Sequence, residues 1–237
     1  MQIWPAIDLR DGKCVRLEQG NFDRETVFGD DPVEMARKWV AQGAQCLHLV
    51  DLDGARDGRP SNHDVIGRIV SAVQVPCQLG GGIRDEATIR ALLNAGVDRL
   101  VIGTKALREP DWFRKMCDQF PDRMVLGIDA EGGLVATDGW LQTSDQPATE
   151  LARTLAHDAI KAIVYTDIAK DGMLAGPNLE AMSEMNQAVS VPVVASGGVT
   201  TEQDIRNLAN LGMAGCIIGR ALYEQRLTLA DALSASR

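Results

Sequence analysis

Two stretches of this chain are variants of one pattern, and their correspondence limits the possible folds more than any other feature. Val75 to Leu107 reads VPCQLGGGIRDEATIRALLNAGVDRLVIGTKAL, and Val191 to Leu222 reads VPVVASGGVTTEQDIRNLANLGMAGCIIGRAL. Each opens with an apolar run of strand length behind a proline and continues through glycines into a segment with apolar residues at helical spacing (Ile89, Leu92, Leu93). A glycine then ends the helix, and a second apolar strand runs into another small-residue turn. Gly81 and Gly82 align with Gly197 and Gly198, Gly96 with Gly212, and Gly103 with Gly219; Glu86, Arg90 and Asn94 align with Glu202, Arg206 and Asn210. Two unrelated strand–helix–strand units would share apolar periodicity, but not charged and amide residues in register. Each stretch is a βαβ unit, which demands a parallel sheet with right-handed crossovers.

The rest of the chain continues the alternation. Apolar strands are expected at Ile3–Asp8, Cys46–Asp51, Met124–Asp129 and Ala162–Thr166, besides the two in each repeat. Helices are expected from Asp31-Pro32, from Ser61-Asn62, near Pro110, over about Pro147 to Ala156 and over Leu179 to Ala188. Pro5 is awkward inside a central strand. The segments from Asp11-Gly12 to Asp31, from Asp53 to Pro60, and around Gly132-Gly133, Asp138-Gly139 and Trp140 read as loops. Eight strands alternating with eight helical segments in 237 residues close most naturally into one (β/α)8 TIM barrel, a fold of about 250 residues; a doubly wound open sheet is the rival. Ile7-Asp8 and Gly12 also match Ile128-Asp129 and Gly133, so the single domain (1–237) is expected to be a duplicated half-barrel, with halves of about 1–120 and 121–237.

Glycine turns after strands allow backbone N–H groups to approach an oxyanion. Gly81, Gly82, Gly103 and Thr104 form one candidate phosphate site, and Gly197, Gly198, Gly219 and Arg220 the other. In a closed barrel the two would face each other across one mouth, with Asp8 and Asp129 opposed between them. That arrangement suits a long ligand with a phosphate at each end and acid/base chemistry in the middle. The bland reading is that turns after strands favour glycine and that each Asp caps a loop.

The segments PAIDLRDGKCVRL, HLVDLDGA, LGGGIRDE, GIDAEGGLVATDGW, TDIAKDGMLAGPN, SGGV and IIGRAL occur in family order over nearly the whole chain. Together they resemble the phosphoribosylformimino-5-aminoimidazole carboxamide ribotide isomerase family of histidine-biosynthesis barrels. The resemblance implies a cofactor-independent Amadori rearrangement of a bis-phosphorylated aminoaldose to an aminoketose. Asp8 would be the base and Asp129 the proton donor, with Asp171 a rival donor and Thr166 bonded to the reacting region. An ordinary Asp titrates near ~3.9, so a donor here needs its pKa raised by burial or neighbouring phosphates. Gly172 and the flanking loops would touch substrate, with Arg16 and Trp140 as a guanidinium and an aromatic lid. The sister cyclase of imidazole glycerol phosphate synthase, fed ammonia at the barrel's far face, is the nearest alternative; Glu131 stands where that family usually has a basic residue. A bifunctional isomerase also acting on phosphoribosyl anthranilate, and a non-catalytic sugar-phosphate binder, are further alternatives. Lys105, Lys161 and Lys170 raise a Schiff-base aldolase, but none sits clearly inside a strand.

A formal net charge of -9 argues against nucleic-acid or anionic-membrane partners, so an anion must be held by local donors. Cys14, Cys46, Cys77, Cys117 and Cys216 lie in or beside apolar runs and read as free thiols of a reducing cytoplasm. His48, His63 and His157 are scattered, so no metal site is expected, and His48 inside a strand reads as a core residue. No secretory signal or membrane span is visible. A monomer is expected, since the barrel buries its own core.

Overall fold

The computed structural model describes all residues except Asp138, Leu141 and Asp158; the Asp138 half of the expected Asp138-Gly139 turn therefore lies outside the described residues. In chain order the first half comprises β1 (Gln2–Arg10), β2 (Lys13–Glu18), β3 (Asn21–Gly29), α1 (Pro32–Ala41), β4 (Leu47–Asp51), α2 (Leu52–Asp57), α3 (His63–Ala72), β5 (Cys77–Gly80), α4 (Glu86–Asn94), β6 (Arg99–Ile102), α5 (Thr104–Arg108) and α6 (Pro110–Gln119). The second comprises β7 (Met124–Glu131), β8 (Leu134–Thr137), β9 (Gln142–Pro147), α7 (Ala148–Leu155), β10 (Ala162–Asp167), α8 (Leu179–Ala188), β11 (Val193–Ser196), α9 (Glu202–Asn210), β12 (Gly215–Ile218), α10 (Arg220–Tyr223) and α11 (Leu229–Ala235).

Eight strands pair in parallel in the order β10-β11-β12-β1-β4-β5-β6-β7, and β7 pairs with β10 to close the ring. The fold is a (β/α)8 barrel. Alternation along each strand sends residues to two separate cores. Ile3, Ile7 and Leu9 of β1 join the large cluster between strands and helices, while Trp4 and Ala6 join Cys46, Val125, Ala162, Val164, Val194 and Ile217 inside the barrel. Branched aliphatics fill both, which is why a chain with 4% aromatics suffices. Pro5 does lie inside β1.

Three expected loops carry regular structure. The segment after Asp11-Gly12 folds as β2 and β3, an antiparallel extension of β1; its outer strand is mostly exposed, so the apolar alternation that marks a strand is missing. The segment after Asp129 pairs β8 and β9 antiparallel with the end of β7. The stretch after Asp51 opens with α2, which Asp51 caps through Gly54 N–H. Short helices α5 and α10 likewise begin directly at Gly103 and Gly219, with nearly equal backbone angles (φ -98°, ψ -109° and φ -107°, ψ -105°).

The two halves reproduce each other in detail. Gly81 (φ +106°) lies so close to β4 that a Cβ would come within 2.2 Å of the Asp51 carbonyl oxygen, and Gly197 (φ +98°) meets the Asp167 carbonyl oxygen at 2.5 Å in the same way. Each of these aspartates points out of the barrel and takes an amide hydrogen bond of 2.7 Å, from Asn62 to Asp51 and from Asn178 to Asp167. Asp51 is therefore a buried plug between strand and helix, not an acid of the mouth. It also accepts from Gly54, Ser61 and Asn62 N–H groups. Asp51→Ala strands the three backbone donors and leaves the Asn62 amide only its bond to Asp53, and is expected to cost about 3 kcal/mol or more of unfolding free energy. Asp167→Ala, which strands Asn178 and a longer bond from Lys170 N–H at 3.3 Å, should cost less; urea unfolding of the two variants checks the order.

Candidate active site

The inward positions at the C-terminal ends of the strands set the chemistry of the mouth. On β1, the parity that buries Trp4 and Ala6 inside the barrel also turns Asp8 inward. On β7 and β10, Asp129 and Thr166 are register partners. They line a cavity of about 520 Å³, within the range of small-molecule sites. Every residue singled out in the sequence for catalysis or substrate binding lines this one cavity: Asp8, Asp129, Thr166, Asp171, Arg16, Trp140, Gly172, and the glycines, Thr104 and Arg220 of the two repeated turns.

Arg16 of β2 reaches back over β1. Its guanidinium donates to Asp8 at 2.7 Å and to the Ala6 carbonyl at 2.8 Å, and packs so tightly on Gly219 that a Cβ there would lie 2.5 Å from the guanidinium carbon. Burial raises the Asp8 pKa, and Arg16 opposes the rise. Asp129 is raised by burial against side-chain hydrogen bonds from Trp140 and Thr166. Asp171, in the loop after β10, is pushed up to about 6: burial is the main cause, Arg16 opposes it, and the charges of Asp8 and Asp129 add to it. Asp8, Asp129 and Asp171 thus share one chamber with the Arg16 guanidinium, and burial raises the proton affinity of all three.

Loops from both halves roof the chamber. The Trp140 indole lies on Gly20 of the β2–β3 turn, where a Cβ would come within 2.4 Å of the ring. Gln19 N–H donates to the Asp171 carbonyl at 3.3 Å, and Gly172 sits against the Leu17 carbonyl, which leaves 3.0 Å for a Cβ. At the second glycine turn the Arg220 guanidinium is already occupied, by Glu18 at 2.8 Å, Glu224 at 2.5 Å and the Gly172 carbonyl at 2.7 Å. It ties the loops after β1 and β10 to α10.

Sequence reasoning passed over several cavity residues. His48, read as a core residue, is buried yet faces the cavity from the inner side of β4. Arg56 and Arg84 stand near the first glycine turn, beside Lys105 of the set-aside aldolase reading, and Ser196 near the second. The signal for His48 was available: in Leu47-His48-Leu49-Val50-Asp51 the apolar Leu47 and Leu49 share one face with Asp51, which leaves His48 on the other.

Fold and site together define a (β/α)8-barrel enzyme with an acidic reaction chamber between two glycine turns. Comparison with known proteins narrows this: a family model described as "Histidine biosynthesis protein" matches residues 2–228, and the chain belongs to that family. Similar curated proteins are named 1-(5-phosphoribosyl)-5-((5-phosphoribosylamino)methylideneamino)imidazole-4-carboxamide isomerase. That of Rhodopirellula baltica is 56% identical over 234 residues, covering 98% of this chain and 92% of the relative. That of Cellvibrio japonicus is 53% identical, with 98% and 97% covered. That of Thermoanaerobacter pseudethanolicus is 49% identical over the full length of both. Among the described residues no helix is long and apolar enough to cross a membrane.

The raised Asp171 pKa has a stability consequence. The folded state holds the Asp171 proton up to about pH 6, whereas an ordinary Asp releases it near 3.8. Over that interval the native state binds more protons, so this group's contribution to stability falls as pH rises from about 4 to about 6 and stays low above it. Asp171→Asn is accordingly expected to melt higher than wild type at pH 7.5, with the difference vanishing near pH 4, as measured by thermal denaturation at both values.

Proposed function

We propose that this chain is an intramolecular aldose–ketose isomerase of histidine biosynthesis, converting a bis-phosphorylated N-(5-phosphoribosyl)formimino aminoimidazole carboxamide ribotide to its phosphoribulosyl form. The names of relatives about half identical over nearly the full length support the reaction class. The observation that carries the mechanism is the convergence of acids of different surroundings in the chamber, with Asp8 paired to a guanidinium and Asp171 pushed up to about 6.

The rearrangement begins when an acid protonates the ribose ring oxygen as the C1–O bond breaks, leaving an open-chain iminium at C1. A base then removes the proton from C2, and its electron pair forms the C1=C2 bond of an enaminol. Reprotonation at C1 and loss of the C2 hydroxyl proton give the ketone. Asp8, whose carboxyl takes a 2.7 Å hydrogen bond from Arg16 that favours the carboxylate, is assigned the C2 proton. The donor is the choice left open between Asp129 and Asp171. Asp129 accepts hydrogen bonds from Trp140 and Thr166, which favour its ionised form against the effect of burial; Asp171, pushed up to about 6, keeps a protonated fraction at neutral pH. Asp171 is therefore assigned the donated proton, while Asp129 orients Trp140 and Thr166 around the sugar.

The two phosphates are assigned to the glycine turns, Gly81-Gly82 with Gly103-Thr104 and Gly197-Gly198 with Gly219-Arg220. With the Arg220 side chain committed to Glu18 and Glu224, the second turn is left to bind through backbone and helix terminus. The matching geometry of the turns supports the reading of residues 1–120 and 121–237 as a duplicated half-barrel. We assign no cofactor, a monomeric state and a cytoplasmic location to the same reading. The names of the relatives, and Glu131 where the cyclase family usually has a basic residue, favour isomerase over cyclase.

Purified protein given the aminoaldose alone is expected to yield the aminoketose. No change until ammonia and the ketose are supplied would indicate the cyclase, and turnover of phosphoribosyl anthranilate the bifunctional enzyme. Asp8→Asn is expected to keep the fold, judged by circular dichroism, while lowering kcat by roughly 10³-fold or more; wild-type turnover in that variant refutes the base assignment. Wild-type kcat/KM should decline as pH rises past about 6, and Asp171→Asn should abolish that limb along with most of the activity.

A further inference from the structure

We infer that His48 is a hydrogen-bond donor to the substrate, its tautomer set by the buried Arg99 acting through Gln78. The inference rests on the isomerase reading above only for the identity of the substrate.

The three side chains stand side by side on the inner wall, since His48 is the register partner of Gln78 and Gln78 of Arg99. Arg99 Nε donates to Gln78 Oε1 at 2.8 Å. A guanidinium carries donors only, so the amide oxygen must face it and the amide nitrogen must face the other way. That nitrogen lies 2.7 Å from His48 Nδ1. Nδ1 must then accept, which places the ring proton on Nε2. An imidazolium would set N–H against N–H at this contact and is excluded by the same geometry. Burial, with the charges of Arg16 and Arg99 adding to it, pushes the His48 pKa down to about 3, so the ring stays neutral throughout the physiological range.

Nε2 has no partner among the described residues and is not among the sealed, unpaired polar atoms, so its N–H opens into the cavity that His48 lines. His48 pairs in register with Ala6, and Asp8 is the next inward residue of β1. The donor therefore sits beside the proposed base, where the central sugar would lie, and its acceptor is an oxygen of that sugar at or next to the reacting carbon. A neutral donor suits this position. It orients the oxygen without competing with Arg16 for Asp8 or drawing a phosphate away from its turn. No proton passes through His48; Gln78 and Arg99 are positioning residues. The cost of Arg99 supports a purpose for it: it is 6% exposed, its Nη2 is unpaired, it forms no ion pair among the described residues, and apart from Gln78 its guanidinium is met by the Trp4 ring face. A buried cation so poorly satisfied is expensive, and an aliphatic side chain could fill the barrel there.

The test combines ¹⁵N NMR of the imidazole with kinetics on the aminoaldose. Wild type is expected to show protonated Nε2 and unprotonated Nδ1 for His48 from pH 5 to 8. Gln78→Glu, nearly isosteric, accepts from both neighbours and should move the proton to Nδ1 or charge the ring, with kcat/KM falling about ten- to a hundredfold. His48→Leu should lose a similar factor, and His48→Gln, whose amide can present an N–H near the Nε2 position, should recover most of it. A wild-type spectrum with protonated Nδ1 overturns the relay, and unchanged kcat/KM in His48→Leu overturns the substrate contact even if Gln78→Glu fails to fold. A wild type inactive on the aminoaldose overturns the isomerase reading and with it the named acceptor, while the spectrum still decides the relay.

Discussion

The parallel pairing of β7 with β10, from Val125–Ala162 to Ala130–Asp167, closes the sheet, and the site follows from that closure. An open sheet would have two faces of similar character. A closed ring has an inside too narrow for anything but side chains, so alternation sorts every strand residue into one of two environments. Trp4, Ala6 and Asp8 share the inside of β1, and the polar residue comes last because only the mouth offers water and ligand space. The same pairing sets Asp129 beside Thr166. The site is thus the unfilled top layer of a packed core, and its depth is fixed by Trp4 and Arg99 beneath it.

Electrostatics in that layer work against stability. Asp8, Asp129 and Asp171 converge where burial raises all three, and Arg16 is the cation that opposes the rise at Asp8 and Asp171. Its position depends on the absence of a side chain at Gly219, which leaves the backbone flat enough for the guanidinium to lie on. Gly219 therefore has two functions, opening α10 toward the cavity and seating the arginine that opposes the rise at Asp8. In the other half Gly103 lacks the second task, since its would-be Cβ meets nothing nearer than the Gly127 carbonyl at 3.8 Å. The two halves share a backbone but have diverged in chemistry.

The barrel was legible because its signals are periodic and repeated: apolar strands, helix caps and glycines in register at Val75–Leu107 and Val191–Leu222. The candidate site was legible because its acids end strands and its glycines recur. What escaped was structure held by partners distant in sequence. β3 has too little apolar alternation to announce itself and is held by β2 and by Arg10, which reaches Glu25 at 2.7 Å. Asp51 and Asp8 look alike as strand-terminal acids, and only parity against neighbouring apolar residues separates a plug from a mouth residue. Arg220 lines the cavity as the sequence suggests, but its pairing with Glu18 alongside Glu224 was not legible, Glu18 being so far away in sequence.

The doubled glycines also sharpen what a repeated motif can and cannot mean. Gly81 and Gly197 are required by the close approach of each turn to the preceding strand, at Asp51 and Asp167, whether or not a ligand is present. Packing alone would accordingly preserve them, and they do not by themselves argue for phosphate. The argument comes from the conjunction with net charge. A chain carrying -9, with three acids in its chamber, repels a doubly phosphorylated ligand at long range, so binding must be won at short range by donors that carry no mobile countercharge. Backbone N–H groups at the two turns meet that requirement. Three of the side-chain cations around the chamber are paired with acids: Arg16 with Asp8, Arg220 with two glutamates, and Lys105 with Glu109 at 2.6 Å. On the proposed reading, recognition by backbone dipoles at both ends would leave the middle of the cavity free for carboxylates, which cationic phosphate clamps at the same distance would hold ionised and unable to donate a proton.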